Sequence, residues 1–265
     1  MKLMSLLMLI VFCVSSEAAA SEAAADEAAE AALDKIFAGQ AATFIMYDVE
    51  KDEHTVYNPT RALKRFLPAS TFKIPNSLIG LSVGAIESVD EVLPYLGDAA
   101  QPKRWQKDMS LREAIVVSNV PIYRELARRI GLEKMKAEVA RLGYGNADID
   151  DKVDLFWLEG PLKISAAEQC AFLSDLARSR LPLAPEIQAA IRDILLDDQG
   201  QDWKLYAKTG ATMRDKEQVG WWVGWLEKEG RLYCFALNID LEDYERDLPK
   251  RVESGRAALA SLGLL

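Results

Sequence analysis

Three β-rich runs follow one another near the carboxyl end of the chain, at residues 203–209, 219–227 and 231–239. Only the turn sequence Lys228-Glu229-Gly230 separates the last two, so these runs are predicted to be antiparallel neighbours in one sheet. Two more strands are predicted far upstream, at residues 41–49 and 54–57, on either side of a charged turn. If the upstream and the late strands belong to one sheet, the long stretch of chain between these two groups of strands is an insertion into it.

That stretch has apolar residues at spacings of three and four, the pattern of helices with one buried face. Helices are predicted at residues 110–117, 121–130, 132–142, 166–178 and 185–196, with a terminal helix at 251–262. The chain is therefore predicted to have an α+β fold, in which an antiparallel β-sheet is flanked by helices and a large helical part, roughly residues 73–185, is inserted into it.

The first twenty residues have the three parts of a secretory signal peptide: Met1-Lys2, an apolar run at residues 3–14, and small residues that end at Ala20. The apolar run is too short to span a bilayer, and a buried N-terminal helix is the alternative interpretation. We predict cleavage near Ala20, secretion to the periplasm, an Ala/Glu-rich spacer at residues 21–33, and a folded domain at residues 34–265.

Charge and histidine content exclude several classes of function. The chain has 32 Lys and Arg against 41 Asp and Glu, a net charge of −9, whereas proteins that bind nucleic-acid phosphates need an excess of basic residues. Its single histidine rules out multi-histidine zinc sites, and no metal is expected. Because His54 is predicted near the tip of the first hairpin, a hydrolase built from this chain would use a base other than imidazole.

Two cysteines, Cys170 and Cys234, follow the predicted signal peptide. In an oxidising compartment they could form a disulfide. Cys170 lies in a helical pattern and Cys234 in a strand pattern, however, and two isolated buried thiols fit the sequence equally well.

A hydroxyl and an amine stand three residues apart in Ser70-Thr71-Phe72-Lys73, at the start of a predicted helix, which puts both on one face. A serine needs a base in order to attack a carbonyl carbon. An amine can serve only when its pKa falls far below that of free lysine, as burial among apolar groups causes it to do. Ser70 and Lys73 are therefore a candidate nucleophile and base.

Two further short motifs contain candidate site residues. Lys208-Thr209-Gly210 lies on the first of the late strands, where a cation can meet an anionic substrate and glycine lets a ligand approach the backbone. Ser118-Asn119-Val120 lies between two predicted helices. Taken alone, the first motif is consistent with an ordinary strand end and the second with a helix cap.

In this order and spacing, the motifs resemble those of the penicillin-recognising serine enzymes, and in particular of the class D, oxacillinase-type β-lactamases. Ser70-Thr71-Phe72-Lys73 resembles the family's nucleophile motif, and Ser118-Asn119-Val120 resembles its second motif. Further signatures match Lys208-Thr209-Gly210, Tyr144-Gly145-Asn146, Trp157-Leu158-Glu159-Gly160 and Trp221-Trp222-Val223-Gly224-Trp225. The resemblance covers the chain from about residue 34 to its end.

The resemblance implies hydrolysis of β-lactam antibiotics through an acyl-enzyme on Ser70, with Lys73 as the general base after carbon dioxide has carboxylated it to N6-carboxylysine. Apolar walls formed by Val120 and Leu158 would favour the neutral amine that this addition needs. Trp157 has one indole donor and no acceptor, which suits it to hold an anionic carbamate. No other cofactor and no metal is implied.

The resemblance also assigns proton transfer and substrate binding. Ser118 would pass a proton to the departing ring nitrogen, and the backbone amides of Ser70 and Ala211 would form the oxyanion hole. Lys208-Thr209-Gly210 and Arg251 would bind the substrate carboxylate. The expected partners are small β-lactams, with no nucleic acid and no membrane span, and no oligomeric state is implied.

Two other functions use the same motifs. A penicillin-sensing receptor domain is acylated without turning over, and a cell-wall DD-peptidase or transpeptidase acts on peptide. Receptor domains of this kind are normally tethered by membrane-spanning segments, and no apolar run here is long enough for one. The peptidases normally lack a loop of the Trp157 type, so the sequence favours the β-lactamase.

Overall fold

The computed structural model describes residues 27–212 and 218–265. Its strands are β1 (Ala42–Asp48), β2 (Glu53–Tyr57), β3 (Val92–Leu93), β4 (Met109–Ser110), β5 (Leu196–Gln199), β6 (Trp203–Ala211), β7 (Val219–Lys228) and β8 (Arg231–Asp240). Six of them form one antiparallel sheet in the order β2-β1-β8-β7-β6-β5, and β3 pairs with β4 in a separate ribbon. The upstream hairpin therefore joins the late strands through β1 and β8.

Ten helical segments surround this sheet within the described part of the chain. They are α1 (residues 27–36), α2 (Pro59–Ala62), α3 (Lys73–Ser82), α4 (Leu111–Val116), α5 (Val120–Ile130), α6 (Leu132–Arg141), α7 (Ala166–Ala177), α8 (Pro185–Ile194), α9 (Tyr244–Asp247) and α10 (Lys250–Ser261). Two short 3-10 turns lie at Ala69–Phe72 and Lys103–Trp105. The observed elements confirm the predicted α+β fold.

Strand β7 divides two apolar cores because helices cover both faces of the sheet. Trp221 and Trp225 contribute to the larger core, which also contains the buried residues of α3, α5 and α7. Trp222 and Leu226 contribute to the smaller core, together with Leu33 at the end of α1 and residues of α10. The uninterrupted apolar sequence of β7 is thus the signature of a central strand that is buried on both sides.

Two predicted boundaries were wrong. The helix predicted to run to residue 196 ends at Ile194, because Ala207 donates its amide hydrogen to Leu195 O at 3.0 Å and draws the chain into the sheet as β5. The spacer was predicted to reach residue 33, yet Leu33 is 1% exposed and belongs to the smaller core. The predicted signal peptide and cleavage site lie outside the described residues.

The two thiols are free and do not form a disulfide. Cys170 donates through Sγ to Cys234 O at 3.4 Å, and burial raises the pKa of both thiols. Of the two alternatives that the sequence left open, the isolated buried thiols are correct. His54 lies on β2, as predicted, where its ring stacks on Tyr47.

Candidate active site

Ser70 lies in the 3-10 turn Ala69–Phe72, which we call the nucleophile turn and which leads directly into α3. Thr71 fixes this turn, because both its amide and its Oγ1 donate to Pro68 O, at 3.1 and 2.7 Å. Gln169 on α7 in turn donates through Nε2 to Thr71 Oγ1 at 2.7 Å. Ser70 therefore belongs to a turn that is held by hydrogen bonds within itself and by one from α7.

Lys73 is the first residue of α3, and its side chain is fully buried. Its Nζ lies 2.8 Å from Ser70 Oγ, and it also lies over the ring of Tyr123 at 5.3 Å from the centroid. Burial lowers the pKa of Lys73 well below its ordinary value, and the nearby charge of Lys208 lowers it further. Burial therefore favours the neutral amine over the ammonium, which is the direction that the sequence argument required of a base.

Ser118 and Lys208 form a second hydroxyl–amine pair. Ser118 lies between α4 and α5 with a positive φ of 55°, and Lys208 on β6 donates through Nζ to its Oγ at 3.1 Å. Burial lowers the pKa of Lys208 to about 7, Arg251 lowers it as well, and Asp197 opposes them. The pKa of Lys208 thus lies close to neutral pH, where both its charged and its neutral form are populated.

Gly210 allows β6 to pack closely against the nucleophile turn. A Cβ atom at this position would lie 3.1 Å from both Pro68 O and Thr71 Cγ2, a distance that only a shift of the neighbours would relieve. With the strand and the turn this close, Ser70 and Ala211 line the same cleft. The two amides predicted to form the oxyanion hole therefore belong to residues that face one cavity.

The cleft has a volume of about 510 Å³. It is lined by predicted site residues from both the sheet and the helical part, namely Ser70, Ser118, Val120, Leu158, Thr209, Gly210, Ala211 and Arg251. The remaining predicted residues, Lys73, Trp157 and Lys208, are buried around it. The fold thus gathers every predicted site residue at one place.

Trp157 has an unused hydrogen-bond donor beside this cleft. Its side chain is fully buried, its ring stacks on Phe72 at 5.4 Å, and its carbonyl accepts from the Ala69 amide at 3.1 Å. The indole Nε1 has no hydrogen-bond partner among residues 27–212 and 218–265. A buried donor without a partner is costly, so an anionic acceptor next to Lys73 would fit it.

Comparison with known proteins agrees with this geometry. Residues 41–259 match the family model described as the penicillin binding protein transpeptidase domain. The chain is 36% identical to β-lactamase OXA-19 from Pseudomonas aeruginosa, over 97% of this chain and 96% of the relative. It is also 38% identical to β-lactamase OXA-48 from Klebsiella pneumoniae, over 74% of each protein.

Solved structures agree as well. The class D β-lactamase FUS-1 (OXA-85) from Fusobacterium nucleatum subsp. polymorphum superposes with a TM-score of 0.85 at 42% identity, over 88% of this chain and 98% of that one. A class D enzyme from Nostoc also gives a TM-score of 0.85, at 37% identity, over 88% and 99% of the two chains. The chain belongs to the class D β-lactamases.

In this class D β-lactamase, Arg251 lies in the wall of the cleft. The residue follows Lys250 in the first turn of α10, is partly buried, and lines the cleft. Its Nε and Nη1 have no hydrogen-bond partner in the part of the chain that the structure describes. Burial lowers the pKa of Arg251, because removing a guanidinium from water disfavours its charged form.

Three residues that shape this β-lactamase site were absent from the sequence prediction. Tyr123 lies against Lys73, Gln169 fixes the nucleophile turn, and Asp197 acts on Lys208. Tyr123 lies three residues after Val120 in the same helix, so helical spacing could have indicated that it shares a face with that predicted site residue. The other two are far from the motifs in sequence and gave no signal.

Proposed function

We propose that this enzyme hydrolyses β-lactam antibiotics through an acyl-enzyme on Ser70, and that Lys73 carries the general base as N6-carboxylysine. The observation that carries the proposal is the fully buried Lys73 amine, 2.8 Å from Ser70 Oγ and close to a loop whose Trp157 Nε1 donor is unused. The carbamate would supply an anionic base for both acylation and deacylation. Its oxygens would accept from Trp157.

The rest of the chemistry rests on residues of the chain itself. The Ser70 hydroxyl gives up its proton as its oxygen attacks the lactam carbonyl carbon, and the amides of Ser70 and Ala211 stabilise the oxyanion that forms. Ser118 passes a proton to the departing nitrogen, a role supported by its contact with Lys208 at 3.1 Å. Water then attacks the ester and releases the opened product.

Substrate binding is proposed at the cationic end of the cleft. Lys208 and Arg251 would bind the carboxylate that penicillins and cephalosporins carry, and Thr209 and Gly210 would lie along the bound ligand. Binding of an anionic substrate depends on the charge at the site and not on the net charge of the protein. An enzyme with a net charge of −9 can therefore bind such a substrate through these two cations.

The test is turnover of a chromogenic cephalosporin by the purified mature protein. Continuous hydrolysis is expected, and Ser70→Ala should abolish it. A single stoichiometric burst followed by no further reaction would favour a penicillin-sensing receptor domain. Release of D-alanine from a peptide ending in D-Ala-D-Ala, without lactam turnover, would favour a DD-peptidase.

Secretion to the periplasm, with signal cleavage near Ala20, is part of the same proposal and rests on the charged, apolar and small-residue parts of the first twenty residues. Within the two described stretches, no helix is long and apolar enough to cross a membrane. The mass of the mature protein recovered from an expressing cell tests this point. A mass that includes residues 1–20 would contradict it.

A further inference from the structure

Two hydroxyl–amine pairs open onto one cleft from opposite elements. Lys73 lies 2.8 Å from Ser70 on the helical side, and Lys208 lies 3.1 Å from Ser118 on the sheet side. Both hydroxyls line the cleft, while the two lysines are only 0% and 5% exposed. The charges of the two amines are therefore poorly screened from one another by water.

The other groups around these lysines do not cancel that repulsion. Lys73 has the Ser70 hydroxyl and the ring of Tyr123 beside it, and burial raises the pKa of Tyr123, so this phenol stays neutral. Neither lysine takes part in an ion pair within residues 27–212 and 218–265. The charged groups that act on Lys208 are the guanidinium of Arg251 on α10, which lowers its pKa, and the carboxylate of Asp197 on β5, which raises it.

We propose that Lys208, besides binding the substrate, sets the affinity of Lys73 for carbon dioxide through its positive charge. The inference rests on the carboxylation proposed above. In that reaction the lone pair of the neutral amine forms an N–C bond with carbon dioxide, one C=O π bond becomes a carboxylate, and the amine loses one proton to solvent. The Lys73 ammonium must lose another proton beforehand, so its charge changes from +1 to −1 overall.

A cation nearby favours both parts of this change. The Lys208 ammonium repels the charged form of Lys73 and so favours the reactive amine, and it then attracts the carbamate that forms. By linkage, carboxylation of Lys73 favours the protonated form of Lys208, which is the form that binds a substrate carboxylate. Loading of the base and preparation of the anion site are therefore coupled.

Asp197 is the positioning residue in this scheme, because it acts through Lys208. It is the unpaired residue of a β-bulge, where the register between β5 and β6 shifts between Leu196 and Asp198. Asp197 and Lys208 line the same cavity, about 290 Å³ in volume, at the edge of the sheet. The carboxylate raises the pKa of Lys208 and so helps to keep it protonated.

The experiment measures carbamate rather than activity. Enzyme freed of carbon dioxide is titrated near neutral pH with ¹³C-bicarbonate, and the ¹³C carbamate signal gives the concentration needed for half-loading. Lys208→Met is expected to raise that concentration about tenfold, because one poorly screened charge is removed. Lys208→Arg keeps the charge and should stay near the wild type.

A second pair of variants leaves the catalytic groups intact. Asp197→Asn should shift half-loading in the same direction as Lys208→Met, by a smaller factor. Its matched control is Asp198→Asn, since Asp198 pairs with Arg256 and lines neither the cleft nor the cavity beside Lys208. In this control, Lys73 should be half-carboxylated at the same bicarbonate concentration as in the wild type.

The outcomes separate the two proposals. A wild type that gives no carbamate signal would overturn carboxylation and with it this inference. Normal loading of the wild type and equal loading of a folded Lys208→Met would overturn the role of Lys208 alone. If Lys208→Met does not fold, as judged by circular dichroism, equal loading of Asp197→Asn and Asp198→Asn would overturn it instead.

Discussion

Gln169 donates a hydrogen bond from Nε2 to Thr71 Oγ1 at 2.7 Å, across 98 residues of sequence, and so ties α7 to the nucleophile turn. Gln169 is itself buried and accepts at Oε1 from the Tyr144 hydroxyl at 3.4 Å. The position of the nucleophile thus depends on a side chain that does not touch the cleft.

Gln169→Ala should cost about 2–3 kcal/mol in the free energy of unfolding, because it leaves buried partners unsatisfied and opens a small cavity. It should also lower kcat, since the nucleophile turn loses one of its supports. Urea unfolding and steady-state kinetics measure the two effects. Ser174→Ala on the same helix is the control, because the Ser174 hydroxyl is buried without a hydrogen-bond partner in the described residues. Equal losses in both variants would contradict the assignment.

Trp157→Phe removes an indole donor while it keeps a ring to stack on Phe72. If the carbamate accepts from this donor, the variant should need about tenfold more bicarbonate to reach full activity. The matched control is Trp225→Phe, since Trp225 Nε1 is equally buried and unpartnered in the described part of the chain but its ring stacks on Tyr206, away from Lys73. The same bicarbonate requirement in both variants would contradict the role of Trp157.

Two glycines on neighbouring strands should respond differently to an added methyl group. In Gly224→Ala the new Cβ would lie 2.0 Å from Tyr206 O, so the sheet itself must distort, at a cost of about 3 kcal/mol. In Gly210→Ala the contacts with Pro68 O and Thr71 Cγ2 are 3.1 Å, so the nucleophile turn can move instead. We expect the second variant to fold but to lose about tenfold or more in kcat. Thermal unfolding and kinetics distinguish the two outcomes.

Arg251→Met should raise KM for a penicillin without a loss of stability. The guanidinium makes no hydrogen bond through Nε or Nη1 within the described stretches, so its removal orphans no partner there, while a buried charge is lost. Arg256→Met is the control on the same helix, because Arg256 pairs with Asp198 outside the cleft. An unchanged KM in Arg251→Met would remove this residue from the substrate site.

The buried lysines should make stability depend on pH. Burial lowers the pKa of Lys208 from 10.5 to about 7, so between these values the unfolded chain binds a proton that the folded chain does not. Stability must then rise with pH through this window and be lowest below it. In buffer free of carbon dioxide, we expect Lys208 alone to raise the free energy of unfolding by about 2 kcal/mol from about pH 7 to about pH 9, and the lowered pKa of Lys73 to add to this rise.

Lys208→Met should remove the part of that rise due to Lys208, about 2 kcal/mol, whereas Lys204→Met, which replaces an exposed lysine on the same strand, should leave the rise in place. Urea unfolding at several pH values gives both curves. A rise of equal size in Lys208→Met would contradict the buried-lysine explanation.

Much of the fold could be predicted because the spacing of apolar residues and the residue types of turns are properties of short stretches of sequence. The hairpin of β7 and β8 followed from two β-rich runs and one turn, and the helices of the insertion from their apolar spacing. The end of α8 was predicted too late, because a single hydrogen bond from Ala207 to Leu195 recruits the chain to the sheet edge. The buried Leu33 was assigned to the spacer, because its alanine-rich neighbours gave no sign of a core contact.

The sequence by itself determined which residues could do the chemistry. With the single histidine, His54, near a hairpin tip, a base other than imidazole was predicted, and Ser70 with Lys73 one turn later supplied a nucleophile and an amine on one face. Motif order extended this to Ser118, Lys208 and the remaining site residues. These are properties of residue type and short-range spacing, which a linear pattern contains.

Only the tertiary structure decided how these groups are tuned. The low pKa of Lys73 depends on complete burial and on the charge of Lys208, which the fold brings to the same cleft from a strand far along the chain. The unused donor of Trp157 and the bulge that presents Asp197 are likewise results of packing. Desolvation and unscreened charge depend on distances through space, so no spacing along the chain could have fixed them.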